Sequence, residues 1–200
     1  MKKNLRWLIA GILALALTSC GVFFAPLEGR WNPLEPNFGD GYTEKNLYPT
    51  VDGYVASGMS TFQEGNTMMT GSNMNLALMK FATGDIPEDV PHAELRLYLD
   101  AELSTGPYPF RVRLILLNWD PATVSWTQAT MDGFVAPNFS SAVSVRYAGW
   151  YFWDVTVLLQ SVNPGSVKGL LVEPAATGMN ASFQTTEYTI NKPHLVIWTK

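Results

Sequence analysis

Five polar side chains on three predicted strands have the chemistry to bind an acidic sugar. They are Lys80, Arg96, Tyr98, Arg111 and Arg113. A guanidinium group binds a carboxylate through two parallel hydrogen bonds, an ammonium group acts as a point charge, and a tyrosine ring adds an apolar surface. On neighbouring strands these residues would form one basic patch suited to an acidic polysaccharide such as a uronate polymer. The alternative is that they are ordinary outward-facing strand charges.

Residues suited to catalysis are few and scattered. His92 and His194 are the only histidines, and each lies next to a proline without a recognisable nucleophile, so we expect structural roles for both. The acidic residues fall in turns or on strand faces, where solvated charge is the better interpretation than a carboxylate pair for glycoside cleavage. A calcium ion held by Asp52, Glu64 and backbone carbonyls stays open as an alternative, since hard cations prefer oxygen ligands. We otherwise predict no catalytic residue, no metal site and no cofactor.

The tryptophans divide between core and surface roles. Trp119, Trp126 and Trp153 are expected in the core or at its corners. Trp150 and Tyr151 belong to an aromatic run and offer an alternative platform on which a sugar could stack.

Residues 1–20 have the pattern of an export signal. Three basic residues precede an apolar run from Trp7 to Leu17, which is too short to span roughly 30 Å of hydrocarbon comfortably. The run ends at Leu17-Thr18-Ser19-Cys20-Gly21, which resembles the bacterial lipobox. The resemblance implies that Cys20 receives a diacylglyceryl group and becomes the acylated N-terminus of the mature protein.

Lipidation of Cys20 would tie the protein to a membrane, because two or three acyl chains give an effectively permanent anchor. Cys20 is the only cysteine, which excludes a disulfide within the exported chain. Neither Gly21 nor Val22 is the aspartate that often retains lipoproteins in an inner membrane, so sorting to an outer membrane or cell surface is permitted. An unmodified thiol in an ordinary signal peptide is the alternative.

The charge balance argues against nucleic-acid binding. Removal of residues 1–20 takes away three of the 13 basic residues and none of the 17 acidic ones, which leaves a net charge of −7. An acidic chain lacks the basic footprint that nucleic acids require, and anionic membrane surfaces would repel it. Any membrane attachment must therefore come from the lipid.

The mature chain divides into a tether and one β domain. Residues 21–49 contain four prolines and four glycines and no apolar period, so we assign them to a tether. From residue 50 onward, short apolar or alternating segments are separated by turn residues, which predicts an all-β, jelly-roll-like β-sandwich over 50–200. The predicted strands are Asn75–Ala82, Ala93–Leu99, Phe110–Trp119, Ala142–Arg146, Gly149–Asp154, Gly169–Pro174, Ala181–Thr186 and His194–Thr199. A single short helix is predicted at Asp154–Val162.

Residues 50–200 resemble the DNRLRE, or disaggregatase-related, family, which overlaps a class of carbohydrate-binding modules. Six landmarks occur in the family's order: Asp52-Gly53-Tyr54-Val55, Leu78-Met79-Lys80-Phe81, Trp119 with Thr123-Val124-Ser125-Trp126, Asp154-Val155-Thr156-Val157-Leu158-Leu159-Gln160, Gly169-Leu170-Leu171 and Lys192-Pro193-His194-Leu195. The resemblance implies a jelly-roll sandwich that binds polysaccharide or takes part in surface adhesion.

Together these features predict a lipid-anchored, non-catalytic carbohydrate-binding module at an extracytoplasmic surface. A structural adhesion protein that binds protein or envelope partners through the same sandwich is the alternative. A small polysaccharide-degrading enzyme is a weaker third interpretation, because no catalytic constellation is visible.

Overall fold

The computed structural model describes residues 41–71, 74–82 and 84–200. These residues form mainly β-strands, which confirms the all-β prediction. Within them, no helix is long and apolar enough to cross a membrane. The strands are β1 Thr43–Leu47, β2 Val51–Ala56, β3 Thr67–Gly71, β4 Asn75–Lys80, β5 His92–Leu99, β6 Tyr108–Ile115, β7 Val143–Val145, β8 Gly149–Asp154, β9 Gly169–Pro174, β10 Asn180–Gln184 and β11 His194–Thr199. The helices are α1 Trp126–Ala129 and α2 Thr156–Gln160, and Pro164–Ser166 forms a 3-10 turn.

The antiparallel strands form two groups that pack as a sandwich. The front sheet has the order β1-β11-β5-β8, and the back sheet is built around β4-β9-β6-β7 with β2 on the other side of β4. The pair β3–β10 connects the groups, because β3 reaches β4 at Gly71 and β10 reaches β5 at Phe183. Some strands that follow each other in sequence, such as β5 and β6, lie in different sheets, whereas β6 and β7 pair within the back sheet.

The main core lies between the two sheets. The predicted apolar face of β5, with Ala93, Leu95, Leu97 and Leu99, is fully buried there. The back sheet contributes the alternate residues of β6 and β9, which are Phe110, Val112, Leu114, Leu170 and Val172. The position of each residue along its strand thus decides whether its side chain enters the core or faces outward.

A second, smaller core lies on the outer side of the back sheet. Residues 116–136, which include α1, cross this face and bury Ile115, Leu171 and Phe134. A backbone hydrogen bond from Ala136 N to Leu114 O, at 2.8 Å, holds the segment against β6. The sequence pattern places Ile115 on the same side of β6 as Arg111 and Arg113, and this side proves to be covered at one end of the strand.

Strand β1 lies inside the segment that the sequence assigns to the tether. It pairs with β11 from Thr43↔Thr199 to Leu47↔Leu195 and forms one edge of the front sheet. Leu47 is the buried residue of the strand, and the other four are exposed. An edge strand with one buried residue has no alternating apolar pattern, which is why the sequence does not reveal it. Residues 1–40, including Cys20, lie outside the described residues.

Gly169 allows β9 to approach β4 closely. Its φ of +152° is one that other residues rarely adopt, and a Cβ at this position would clash with the backbone oxygen of Met79. The strand therefore requires glycine at its first residue.

Candidate carbohydrate-binding face

Strand β5 places Arg96 and Tyr98 on the outer face of the front sheet. Their neighbours Leu95, Leu97 and Leu99 point into the core, so the intervening side chains point away from it. Arg96 is paired with His194 of β11 on one side and with Phe152 of β8 on the other. Tyr98 is paired with Trp150 of β8. This face is therefore rich in aromatic side chains.

Four of these rings form a continuous series, which we call the aromatic row: Tyr48, His194, Trp150 and Tyr98. The ring centroids are 5.7 Å apart from Tyr48 to His194, 5.4 Å from His194 to Trp150 and 5.6 Å from Trp150 to Tyr98. Tyr48 is 54% exposed, and the other three are partly exposed. Within the described residues, the Tyr98 hydroxyl and the Trp150 indole N–H make no hydrogen bond, so both polar groups remain available to a ligand.

An ion pair lies beside the aromatic row. Nε and Nη2 of Arg96 donate to Oε2 of Glu94 at 3.2 and 3.1 Å, and Nε2 of His92 lies 3.2 Å from the other carboxylate oxygen. The Arg96 guanidinium carbon is 5.3 Å from the ring centroid of Phe152 and 5.7 Å from that of Trp198. These contacts fix the Arg96 side chain, and among the described residues its Nη1 makes no hydrogen bond.

His194 is neutral at pH 7. Burial is the largest cause that lowers its pKa below the ordinary 6.5, and the positive charge of Arg96 acts in the same direction. The hydrogen bond with Lys192 O and the charge of Glu44 oppose this shift. Because a carbonyl oxygen only accepts, the 2.9 Å contact with Lys192 O places the ring hydrogen on Nδ1.

Arg111 and Arg113 line a separate surface cleft on the back sheet, which we call the arginine cleft. It has a volume of about 350 Å³ and lies between β6, β9 and the segment that contains α1. Arg111 Nε donates to Glu173 Oε1 at 2.7 Å, and Arg113 Nη1 lies 3.8 Å from Glu173 Oε2. Arg113 also donates twice to Ala136 O, at 2.9 and 2.7 Å.

The five residues of the predicted basic patch therefore do not come together. Arg96 and Tyr98 lie on the outer face of the front sheet, whereas Arg111 and Arg113 lie on the outer face of the back sheet. The Lys80 ammonium donates to Trp119 O at 2.8 Å and lies 5.5 Å from the Trp119 ring centroid, so it holds a buried tryptophan. The prediction of one patch is wrong because alternation shows which side of its own sheet a residue faces, but not which sheet its strand joins.

The two residues of the alternative aromatic platform lie on opposite sides of β8. Trp150 belongs to the aromatic row, but Tyr151 points to the core side of β8. The Tyr151 hydroxyl donates to Tyr147 O at 2.9 Å and accepts from the backbone N–H groups of Arg146 and Tyr147. Sequence reasoning missed Tyr48, because it follows a strand that was hidden in the predicted tether.

Asp52, one of the two carboxylates considered for calcium, has another partner. Both carboxylate oxygens of Asp52 accept hydrogen bonds from Thr186, one from its backbone N–H at 2.8 Å and one from its hydroxyl at 2.5 Å. Burial is the main cause that raises the pKa of Asp52 above 3.8, against these hydrogen bonds, and the charges of Glu187 and Glu64 add to the rise. The part of the chain that the structure describes holds no group of three His, Cys, Asp or Glu residues suited to a metal ion.

Comparison with known proteins identifies the domain. A sequence model described as carbohydrate-binding module family 96 matches residues 43–199. The chain belongs to this family. The match begins at the first residue of β1, in agreement with the strand at the edge of the front sheet. A search of curated proteins finds no match.

Proposed function

We propose that this member of family 96 is a non-catalytic module that binds a polysaccharide along the aromatic row. The observation that carries the proposal is the unbroken series of four rings, with centroids 5.4–5.7 Å apart, on one outer face of the sandwich. Aromatic rings offer apolar faces to the C–H groups of a sugar while its hydroxyls remain in contact with water. A row of rings suits an extended chain of sugars better than a single one.

The polar groups beside the row would provide specificity. The Tyr98 hydroxyl, the Trp150 N–H and Nη1 of Arg96 are available to sugar oxygens. A free guanidinium N–H also favours a carboxylate, which is the basis for extending the proposal to acidic polysaccharides. The buried Glu94 carboxylate compensates the charge of Arg96, so we expect stacking to contribute more affinity than charge does.

Two exposed tyrosines allow a matched test of the row. Tyr48 is 54% exposed and belongs to the row, whereas Tyr147 is 57% exposed and does not. We expect Tyr48→Ala to weaken polysaccharide binding about tenfold, which corresponds to about 1.4 kcal/mol of lost stacking. Tyr147→Ala should leave binding unchanged. Affinity gel electrophoresis of the full chain in a Cys20→Ser background, with a panel of neutral and acidic polysaccharides, measures both.

Two results would contradict the proposal. Equal binding by the Tyr48→Ala and Tyr147→Ala chains would show that the row does not contact the sugar. Retention by none of the polysaccharides, combined with specific capture of a surface protein, would favour the adhesion alternative.

We further propose that a lipid on Cys20 holds the module at an outer membrane or cell surface. The support is the sequence Leu17-Thr18-Ser19-Cys20-Gly21 after a basic and apolar export signal. In a bacterial host, the wild-type chain should partition into the detergent phase of Triton X-114 and Cys20→Ser into the aqueous phase. Aqueous partitioning of both chains would exclude the anchor.

A further inference from the structure

We propose that the arginine cleft is a second ligand site, which binds an acidic substituent of a sugar, either a carboxylate or a sulfate ester. The site lies on the back sheet, away from the aromatic row on the front sheet. The proposal rests on the proposed function only for the saccharide nature of the ligand. Its chemistry comes from the residues of the cleft itself.

The shape of the cleft suits a small part of a polysaccharide. Its volume of about 350 Å³ is at the small end of the roughly 300–1,000 Å³ that ligand pockets occupy. Its walls include the partly exposed ring of Trp126 and the apolar side chains of Leu76 and Val135, together with the two arginines. The combination of one ring, a few apolar groups and convergent charges is typical of a site that fixes the orientation of its ligand.

The hydrogen-bond donors of Arg111 are only partly used. Its Nε donates to Glu173, but Nη1 and Nη2 make no hydrogen bond within the described residues. The guanidinium carbon lies 4.2 Å from the ring centroid of Phe139, so the side chain is held in position without these two groups. Two N–H groups on one planar guanidinium can bind the two oxygens of an oxyanion.

The charges on the inner surface of the cleft favour an anion. Arg111 and Arg113 share the single carboxylate of Glu173, which is 14% exposed, so one positive charge remains uncompensated there. Asp132 also lines the cleft but is exposed, where water screens its charge. Glu173 therefore competes with an incoming anion for the positive charge of the two arginines.

This competition predicts opposite effects from two substitutions in the same cleft. Arg111→Gln removes the free donors and should weaken binding of an acidic oligosaccharide about tenfold. Glu173→Gln removes the competing carboxylate and should strengthen binding several-fold. A residue with a purely structural role would not increase affinity when it is replaced.

Isothermal titration of the full chain in the Cys20→Ser background tests the proposal with three probes: oligogalacturonate for carboxylates, sulfated dextran oligosaccharide for sulfate esters, and unmodified dextran oligosaccharide as the neutral reference. Glu88→Gln, at an exposed glutamate outside the cleft, changes the net charge as Glu173→Gln does and controls for long-range electrostatics. Tyr48→Ala shows which part of the binding belongs to the aromatic row.

The expected result is a decrease for Arg111→Gln and an increase for Glu173→Gln with one or both acidic probes, and no change for Glu88→Gln. The probe that responds identifies the substituent as carboxylate or sulfate. Equal gains for Glu173→Gln and Glu88→Gln, unchanged binding by Arg111→Gln, or no binding of either acidic probe would overturn the proposal. A loss confined to Tyr48→Ala would refute the cleft alone, and a loss confined to Arg111→Gln would refute the row alone.

Discussion

Replacing Glu94 by glutamine tests whether the ion pair beside the aromatic row stabilises the front sheet. The Glu94 side chain is 7% exposed, and its Oε2 accepts two hydrogen bonds from Arg96 at 3.1 and 3.2 Å. In Glu94→Gln the Arg96 guanidinium, which is 18% exposed, stays charged but loses its counter-ion, and a carbonyl oxygen accepts its two hydrogen bonds less strongly than a carboxylate does. The loss of the ion pair should therefore lower the free energy of unfolding by about 2 kcal/mol.

Urea unfolding of the wild type and the Glu94→Gln chain measures this difference. The comparison requires that the slope of the free energy of unfolding against urea concentration is the same in both chains. Glu44→Gln is the matched control, since Glu44 is an exposed glutamate of β1 whose carboxylate accepts a hydrogen bond from Asn46. Its effect should stay within about 0.5 kcal/mol. A similar loss in both variants, or a loss below about 0.5 kcal/mol for Glu94→Gln, would refute the reasoning.

Three further predictions concern stability. Trp153→Phe should lower the free energy of unfolding by about 2–3 kcal/mol. The buried Phe110 carbonyl loses the indole N–H that donates to it at 2.9 Å, and the smaller ring leaves a cavity. A change below about 1 kcal/mol in urea unfolding would contradict this. Gly169→Ala should lower the melting temperature through the clash with the Met79 carbonyl, and an unchanged value in calorimetry would be the contrary result. The depressed pKa of His194 contributes stability that is present above about pH 6.5 and lost as the pH falls through the folded-state pKa. The stability lost between about pH 7.5 and about pH 5 should therefore be smaller in His194→Gln than in the wild type, and an equal loss would exclude this role.

Local sequence patterns predict the strands of the sandwich well where one face is buried. The alternation in Ala93–Leu99 and the apolar runs at Gly149–Asp154, Gly169–Pro174 and His194–Thr199 correspond closely to β5, β8, β9 and β11. Each of these strands contributes to the main core, so its sequence contains the apolar residues that this burial requires.

The candidate sites could not be predicted in the same way, because they depend on which strands are neighbours. Tyr48, Tyr98, Trp150 and His194 are separated by about 50 residues each along the chain and meet only after the front sheet has formed. The role of Lys80 was equally hidden, since its partner is a backbone carbonyl 39 residues away. The number of basic residues in a sequence therefore overestimates the number of cationic side chains that are available to a ligand.

The strands that supply the aromatic row determine which part of the protein a bound saccharide would stabilise. Its rings come from β5, β8, β11 and the residue after β1, so a saccharide that lies along all four would fasten the weakly buried edge strand to the centre of its sheet. Amide hydrogens of β1 should then exchange more slowly with solvent in the bound state, and the melting temperature should rise with sugar concentration. Slower amide hydrogen exchange in β1 would therefore indicate that a sugar is bound to the aromatic row.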